Sequence, residues 1–277
     1  MSSVFRSEKI TVVRIMRKKR ENERIVCLTA YDYPTARLVA AGGVDLILVG
    51  DSAANVIYGH PTTLSIGMEE MLYHTKAVAV GAYPALVVAD MPFMSYQTSV
   101  ESAVENAGRF LKAGAEAVKV EGAGFVADVA RRLVDVGIPV MGHLGLTPQS
   151  VHRLGGYRLQ AKRPDDQERL VADAMALEKA GCFSLVLEKI PAELAARVTK
   201  TLSIPTIGIG AGPECDGQVL VIHDMLGLTE TQPLRFVKRY AEIGQGIRRA
   251  VEEFCRDVRE GRFPSWEHSF YLNEGNQ

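Results

Sequence analysis

The chain has 277 residues, 47% of them hydrophobic, and a nearly even balance of 32 Lys and Arg against 33 Asp and Glu. Such a chain is long enough for one large globular domain or two small ones. No polybasic block stands outside the first turns, so the footprint of a nucleic-acid binder is missing, and no apolar run is long enough to cross a bilayer, so neither nucleic acid nor membrane is an expected partner.

The opening stretch MSSVFRSEKITVVRIMRKKR is basic, but it carries Glu8 and lacks the apolar centre of a secretory signal. A helix lying beneath the fold is expected there, in a cytoplasmic protein. The four cysteines, Cys27, Cys182, Cys215 and Cys255, are scattered without C-x-x-C spacing. That pattern points to reduced structural thiols and not to zinc or redox work.

Short β-branched or Leu-rich runs then alternate with helix-length segments, the pattern of repeated β-α units and a parallel sheet. Strands are expected at about 25–30, 45–50, 85–90, 116–121, 138–143, 183–188, 205–209 and 218–222. Helices are expected over Met68–Val80, Ser99–Ala113, Val126–Val136, Arg163–Ala180 and Ala192–Leu202, several opening on cap signals such as Ser99 or Pro191. Eight strands suggest closure into an α/β fold, the (β/α)8 TIM barrel, with an N-terminal helix and an extended C-terminal helical region from Pro233 to Glu260. That last stretch exceeds what one barrel repeat requires, and packing against another subunit would give it a use. No Pro-, Gly- or Ser-rich linker divides the chain, so residues 1–277 read as a single (β/α)8 barrel domain.

Polar residues stand where the apolar runs break off: Asp51 after LILVG, Asp90 after ALVVA, Glu121 after AVKV, His143 after IPVMG and Glu188 after SLVL. In such a barrel the strand C-termini converge on one mouth, where the chemistry is done. Alternation along the fourth strand turns Lys119 and Glu121 the same way. Alone they could form a plain salt bridge; with Asp51 and Asp90 they make a candidate site. Three acids in one mouth repel one another without a cation. Mg²⁺ takes oxygen ligands, keeps several waters and needs only one or two carboxylates. Asp51 and Asp90 suit that direct role, while Glu121 either binds directly or holds a water of the ion.

Ser52 follows Asp51 where the chain leaves its strand, and its hydroxyl and N–H could hold a substrate carboxylate or simply cap a helix. Lys119 offers positive charge to a carboxylate or a developing oxyanion. Acids beside it would keep it protonated, which argues against a Schiff-base role. Glu188, away from the three acids, is the candidate general base, with a solvent-facing glutamate as the alternative. His143 could orient substrate or move protons, or donate to a backbone carbonyl. Tyr31, at the end of the first strand, either closes one side of the pocket or is packed. The run from Ile207 to Gly212 has neither the G-x-G-x-x-G spacing nor the lysine of a P-loop. Its glycines are expected to let backbone approach a ligand.

Several segments are similar to those of a known family. LTAYDYPTARL, LILVGDSAANVIYGH, VVADMPFMSY, AVKVEG, GHLGLTPQSV, LVLEKIP, IGIGAGPECDGQVLVIHD and EHSFY together resemble ketopantoate hydroxymethyltransferase from about Ile10 to Tyr271. The resemblance implies a (β/α)8 barrel that binds Mg²⁺, one ion per subunit. It implies transfer of a hydroxymethyl group from 5,10-methylenetetrahydrofolate to 3-methyl-2-oxobutanoate, giving 2-dehydropantoate (ketopantoate) for pantothenate and coenzyme A. By the same resemblance Asp51, Asp90 and Glu121 match the metal-associated acids, and Asp51, Ser52, Asp90 and Lys119 match the keto-acid contacts. Glu188 matches the proton acceptor, and His143 falls at a matching pocket position. Large homo-oligomers, commonly decamers, are implied as well. Many members read DSLGM where this chain has Asp51-Ser52-Ala53-Ala54-Asn55, which puts the loop geometry in question more than the chemistry. Two rival readings are a Mg²⁺-dependent α-keto-acid lyase or mutase of the isocitrate lyase and phosphoenolpyruvate mutase type, and a non-catalytic metabolite-binding barrel. The first commonly carries a K-x-C-G-H-type loop that this sequence lacks.

Overall fold

Each of the eight apolar runs forms a strand in the computed structural model, which describes residues 8–229 and 234–272. The strands are β1 Ile25–Thr29, β2 Leu46–Val49, β3 Leu86–Asp90, β4 Ala117–Glu121, β5 Val140–Gly145, β6 Ser184–Glu188, β7 Thr206–Ile209 and β8 Gly217–Leu220. All pair in parallel with their sequence neighbours, and β8 closes on β1. Barrel strands are covered on the outside by helices and filled on the inside by side chains, so they read as unbroken apolar runs. Accordingly, β2 and β3 are buried along their whole length.

The helices are α1 Val12–Arg20, α2 Tyr33–Ala41, α3 Ala53–Val56, α4 Met68–Gly81, α5 Val100–Lys112, α6 Phe125–Asp135, α7 Val151–Leu154, α8 Pro164–Lys179, α9 Ala192–Thr201, α10 Ile222–Met225 and α11 Ile243–Arg259. The expected start and end of α4, α5, α6, α8 and α9 fall within a residue or so of those observed. The α2 helix also had a cap in its sequence: Asp32 accepts the Thr35 N–H at 2.7 Å, with Pro34 in the first turn.

The basic opening segment does form a helix, α1, and its Ile15 is fully buried among residues from the barrel interior, including Ile25, Leu46, Leu86 and Ala117. Ile25, Leu46, Leu86 and Ala117 sit at the starts of their strands, so α1 closes the N-terminal mouth of the barrel. All four cysteines are free, three of them buried. Among the described residues no helix is long and apolar enough to cross a membrane.

The described residues form two compact units that divide after Ile222. In the second, the helix expected from Pro233 to Glu260 is realised only as α11. Pro233 lies outside the described residues. From 234 to 242 the backbone is irregular because the N–H groups of Tyr240 and Ile243 donate to the carbonyls of Met225 and Leu226, at 2.8 and 2.9 Å, and not back along a helix. Along α11, Ile243, Ile247, Val251, Phe254 and Val258 recur at helical spacing, each 43–55% exposed, and no residue of the helix is buried.

Candidate active site

Parallel register sets Asp90 level with Lys119 and Glu121 level with His143, while Glu188 falls level with Gly145, two residues beyond His143 on β5. Asp51, two residues past β2, donates its backbone N–H to Asp90 Oδ2 at 3.0 Å. Lys119 Nζ lies 3.0 Å from Asp90 Oδ1 and 3.7 Å from Glu121 Oε1. His143 then bridges outward, with Nδ1 3.3 Å from Glu121 Oε1 and Nε2 3.3 Å from Glu188 Oε2. Six residues expected from the strand ends are thus brought into one continuous chain of charges running from β2 to β6. Five of them are buried, and Glu188 alone keeps a side chain 16% exposed.

Ser52 joins this chain from the side. It stands at the start of α3 but makes no capping bond; its Oγ lies 2.8 Å from the Tyr31 hydroxyl instead. Tyr31 is therefore both packed and in contact with a site residue, being only 2% exposed. The residues that depart from DSLGM form α3 itself, with Ala53 and Ala54 fully buried and Asn55 Nδ2 donating to the His60 carbonyl at 2.8 Å. Two glycines of the run, Gly208 within β7 and Gly212 after it, lie close against protein atoms. A Cβ on Gly208 would come within 2.9 Å of Cys215 Sγ, and one on Gly212 within 2.5 Å of Ala192 Cβ at the start of α9. Both of these close approaches are to neighbouring protein atoms.

Two residues of the site escaped the strand-end pattern. Gln149, in the turn after β5, donates Nε2 to Asp51 Oδ2 at 3.0 Å and to the Met91 carbonyl at 2.9 Å, while its backbone N–H donates to Glu121 Oε2 at 3.0 Å. One residue therefore clamps two of the three acids. Tyr96, fully buried, donates its hydroxyl to Gln149 Oε1 at 2.8 Å and accepts the Glu121 N–H at 3.0 Å. Gln149 sits in the GHLGLTPQS block, and the residue following a proline in a strand-to-helix turn was the available clue; nothing around Tyr96 marks it out.

Burial and charge together fix the protonation of the cluster. Burial raises the pKa of Asp51 well above the usual carboxylate range, and Asp90 and Glu121 push it the same way. Burial also raises that of Asp90, against the pull of Lys119. For Glu121 burial works upward, but the bond and charge of His143, together with Lys119, hold its pKa below the ordinary value. Burial opposes the charge on Lys119, and Asp90, Glu121 and Asp51 outweigh it, so its pKa is raised. Lys119 is thus a fixed cation, unsuited to Schiff-base chemistry. His143 is pulled down by burial and by Lys119, yet its bonds to Glu121 and Glu188 carry it up to about 9.

Among the described residues no three His, Cys, Asp or Glu groups are arranged to hold a metal ion. The donor chemistry nonetheless fits a hard cation that takes one or two carboxylates and otherwise water or substrate oxygens. Asp90 Oδ1 and Glu121 Oε1 are buried and share Lys119, at 3.0 and 3.7 Å, with His143 3.3 Å from Glu121, and Asp51 lies beside them. Three buried acids set against one lysine and a histidine shared with Glu188 leave negative charge that a further cation would offset.

The barrel has the fold of several solved enzymes at low sequence identity. Phosphonopyruvate hydrolase superposes with a TM-score of 0.61 at 13% identity, covering 96% of this chain and 92% of that one. 2,3-Dimethylmalate lyase, of the PEP mutase/isocitrate lyase superfamily, gives 0.59 at 17%, covering 94% and 92%. These establish the architecture alone. Much nearer in sequence are the 3-methyl-2-oxobutanoate hydroxymethyltransferases of Pelobacter propionicus and Trichlorobacter lovleyi, each 57% identical over 95% of this chain and 98% and 99% of their own lengths. That of Chlorobaculum parvum is 54% identical, covering 94% of this chain and 96% of its own. The sequence profile described as ketopantoate hydroxymethyltransferase matches residues 9–266, a span that takes in the barrel and every residue of the charge cluster. With the profile spanning the barrel and relatives at this identity matching end to end, the chain belongs to the ketopantoate hydroxymethyltransferase family.

Proposed function

We propose that this protein transfers a hydroxymethyl group from 5,10-methylenetetrahydrofolate to 3-methyl-2-oxobutanoate, forming ketopantoate in the route to pantothenate and coenzyme A. Family membership supports the reaction, and one observation ties it to this chain: a partly exposed carboxylate, Glu188, stands at one end of a buried charge relay whose other end is the acid pair Asp90 and Asp51. Asp51, Asp90 and Glu121 would hold Mg²⁺. Bound there, the ion supplies Lewis-acid stabilisation of negative charge on the keto acid, worth several kcal/mol.

The protein's own groups do the rest. Ser52, fixed by Tyr31, and the permanently charged Lys119 receive the substrate carboxylate. Glu188 removes the C3 proton, and His143, protonated and 3.3 Å away, orients its carboxylate. Water adds to the folate methylene carbon as its two C–N bonds break and the nitrogens take up protons, and the C3 electron pair forms the new carbon–carbon bond to that carbon. Overall one water is consumed, its oxygen becoming the product hydroxyl, and tetrahydrofolate departs. The exposed α11 stripe is the feature that suits assembly into a homo-oligomer, a decamer by analogy with the family. We place the whole chain, 1–277, in one functional barrel unit working in the cytoplasm.

Glu188→Gln tests the base. In D2O, exchange at C3 of 3-methyl-2-oxobutanoate, followed by NMR with Mg²⁺ present, should slow about 10²- to 10⁴-fold while keto-acid binding is kept. Unchanged exchange would remove Glu188 from that role.

A further inference from the structure

A cavity of about 740 Å³ lies against the charge cluster, bounded by Glu121 and Gln149 on one side and running out over the start of α6 to the face of α8. Clefts of about 300–1,000 Å³ hold ligands of drug size, whereas 3-methyl-2-oxobutanoate has only eight non-hydrogen atoms. The keto acid cannot account for this space. Because Glu121 is common to cavity and cluster, whatever occupies the cavity lies beside the reacting keto acid.

The walls suit a flat heteroaromatic ring. Phe93 and Phe125 both line the cavity and keep 39% and 47% of their surface exposed, leaving aromatic faces ready for stacking. On α8, Asp173 lines the same space, partly buried. Among the described residues it makes no hydrogen bond and no ion pair, in contrast to Asp166 two turns earlier on the same face of α8, which is taken up by Arg163 at 3.0 Å. Burial raises the pKa of Asp173, with Arg169 pulling against it, the state of a carboxylate short of donors. On α7, Arg153 lines the cavity rim, exposed, and likewise makes no ion pair among the described residues.

We infer that this cavity is the folate compartment, in which Asp173 accepts the N–H and amino donors along one edge of the pterin and Arg153 receives the glutamate carboxylates of the tail. The assignment rests on the hydroxymethyl-transfer reading above. A pterin presents adjacent ring N–H and exocyclic amino donors, which a single carboxylate accepts side by side, and the tail carries carboxylates that a guanidinium binds as a fork. An aromatic slot with a free acid at one place and a free arginine at another matches that polarity; a second keto acid would use neither the acid nor the aromatic faces.

The test uses the full-length protein and two probes, tetrahydrofolate and 6-methyltetrahydropterin, with binding followed by calorimetry. Asp173→Asn should weaken both probes about tenfold, and Arg153→Gln should weaken tetrahydrofolate while sparing the pterin fragment. Both variants should raise KM for methylenetetrahydrofolate and leave Mg²⁺-dependent C3 exchange within twofold, since exchange needs the keto acid and no folate. Wild-type affinity for both probes in both variants would overturn the assignment, as would loss of C3 exchange in parallel with folate binding, which would make the cavity part of the keto-acid site. Wild-type protein that binds tetrahydrofolate through these residues yet forms no ketopantoate would uphold the cavity and overturn the reaction instead.

Discussion

Gln149 gives the sharpest test of how the acid cluster is built. Replacing it by leucine keeps the backbone N–H that serves Glu121 but deletes the Nε2 donors to Asp51 and to the Met91 carbonyl, and the Oε1 acceptor of Tyr96 and Gln97. A hydrogen bond to a charged group is worth about 1.5–3 kcal/mol and a neutral one about 0.5–1.5, so with one of the first kind and three of the second removed the variant should lose about 3–7 kcal/mol of stability. Asp51 would also be left without the side chain that aims it. Residues that orient a metal ligand typically govern about 10- to 100-fold in affinity, and Mg²⁺ binding by isothermal calorimetry should weaken by that factor. Denaturant unfolding in the absence of metal measures the first quantity and calorimetry the second. Mg²⁺ affinity within twofold of wild type, in a variant whose stability has fallen as described, would show that Gln149 holds the fold together but has no part in presenting Asp51.

Gly145→Ala should damage the base without touching it: φ is +95°, and the added Cβ would collide with the Glu188 carbonyl and sit 2.7 Å from Ile190 Cγ2. The expected result is a loss of C3 exchange with keto-acid affinity largely kept, and exchange at the wild-type rate would show that the β5–β6 edge yields freely. The pH dependence of the metal-free protein follows from His143. Its folded pKa of about 9 lies above the unfolded value of about 6.5, so its contribution to stability is whole below pH 6.5 and is lost as pH rises through 9. Urea titrations between these limits should therefore show falling stability, and His143→Gln should flatten the slope; an equal slope in the variant would place the titration elsewhere. The raised pKa values of Asp51 and Asp90 act in the same direction.

Strand ends were legible because two physical patterns coincide at them: the apolar run stops where the barrel mouth begins, and the first polar residue after it is carried to that mouth. Asp51, Asp90, Glu121, His143 and Glu188 all follow this rule. Their partners were not legible. That Glu188 reaches the acids through His143 depends on register between β5 and β6, which no local pattern encodes. Gln149 and Tyr96 act from loops, where position is set by tertiary contact and not by periodicity. The C-terminal segment was misjudged for a related reason: its composition favours helix throughout, but backbone donors at Tyr240 and Ile243 are claimed by Met225 and Leu226, a contact that propensity does not see.

The placement of α1 divides the molecule by task. Ile15 fills the floor of the barrel among the strand starts, at the opposite end from the polar residues of the strand tips. Changes at sites separated in this way add independently. The floor is consequently the place where this protein can be made more heat-resistant by repacking alone, and where drift in sequence can accumulate as altered lifetime of the folded chain while turnover stays as it was.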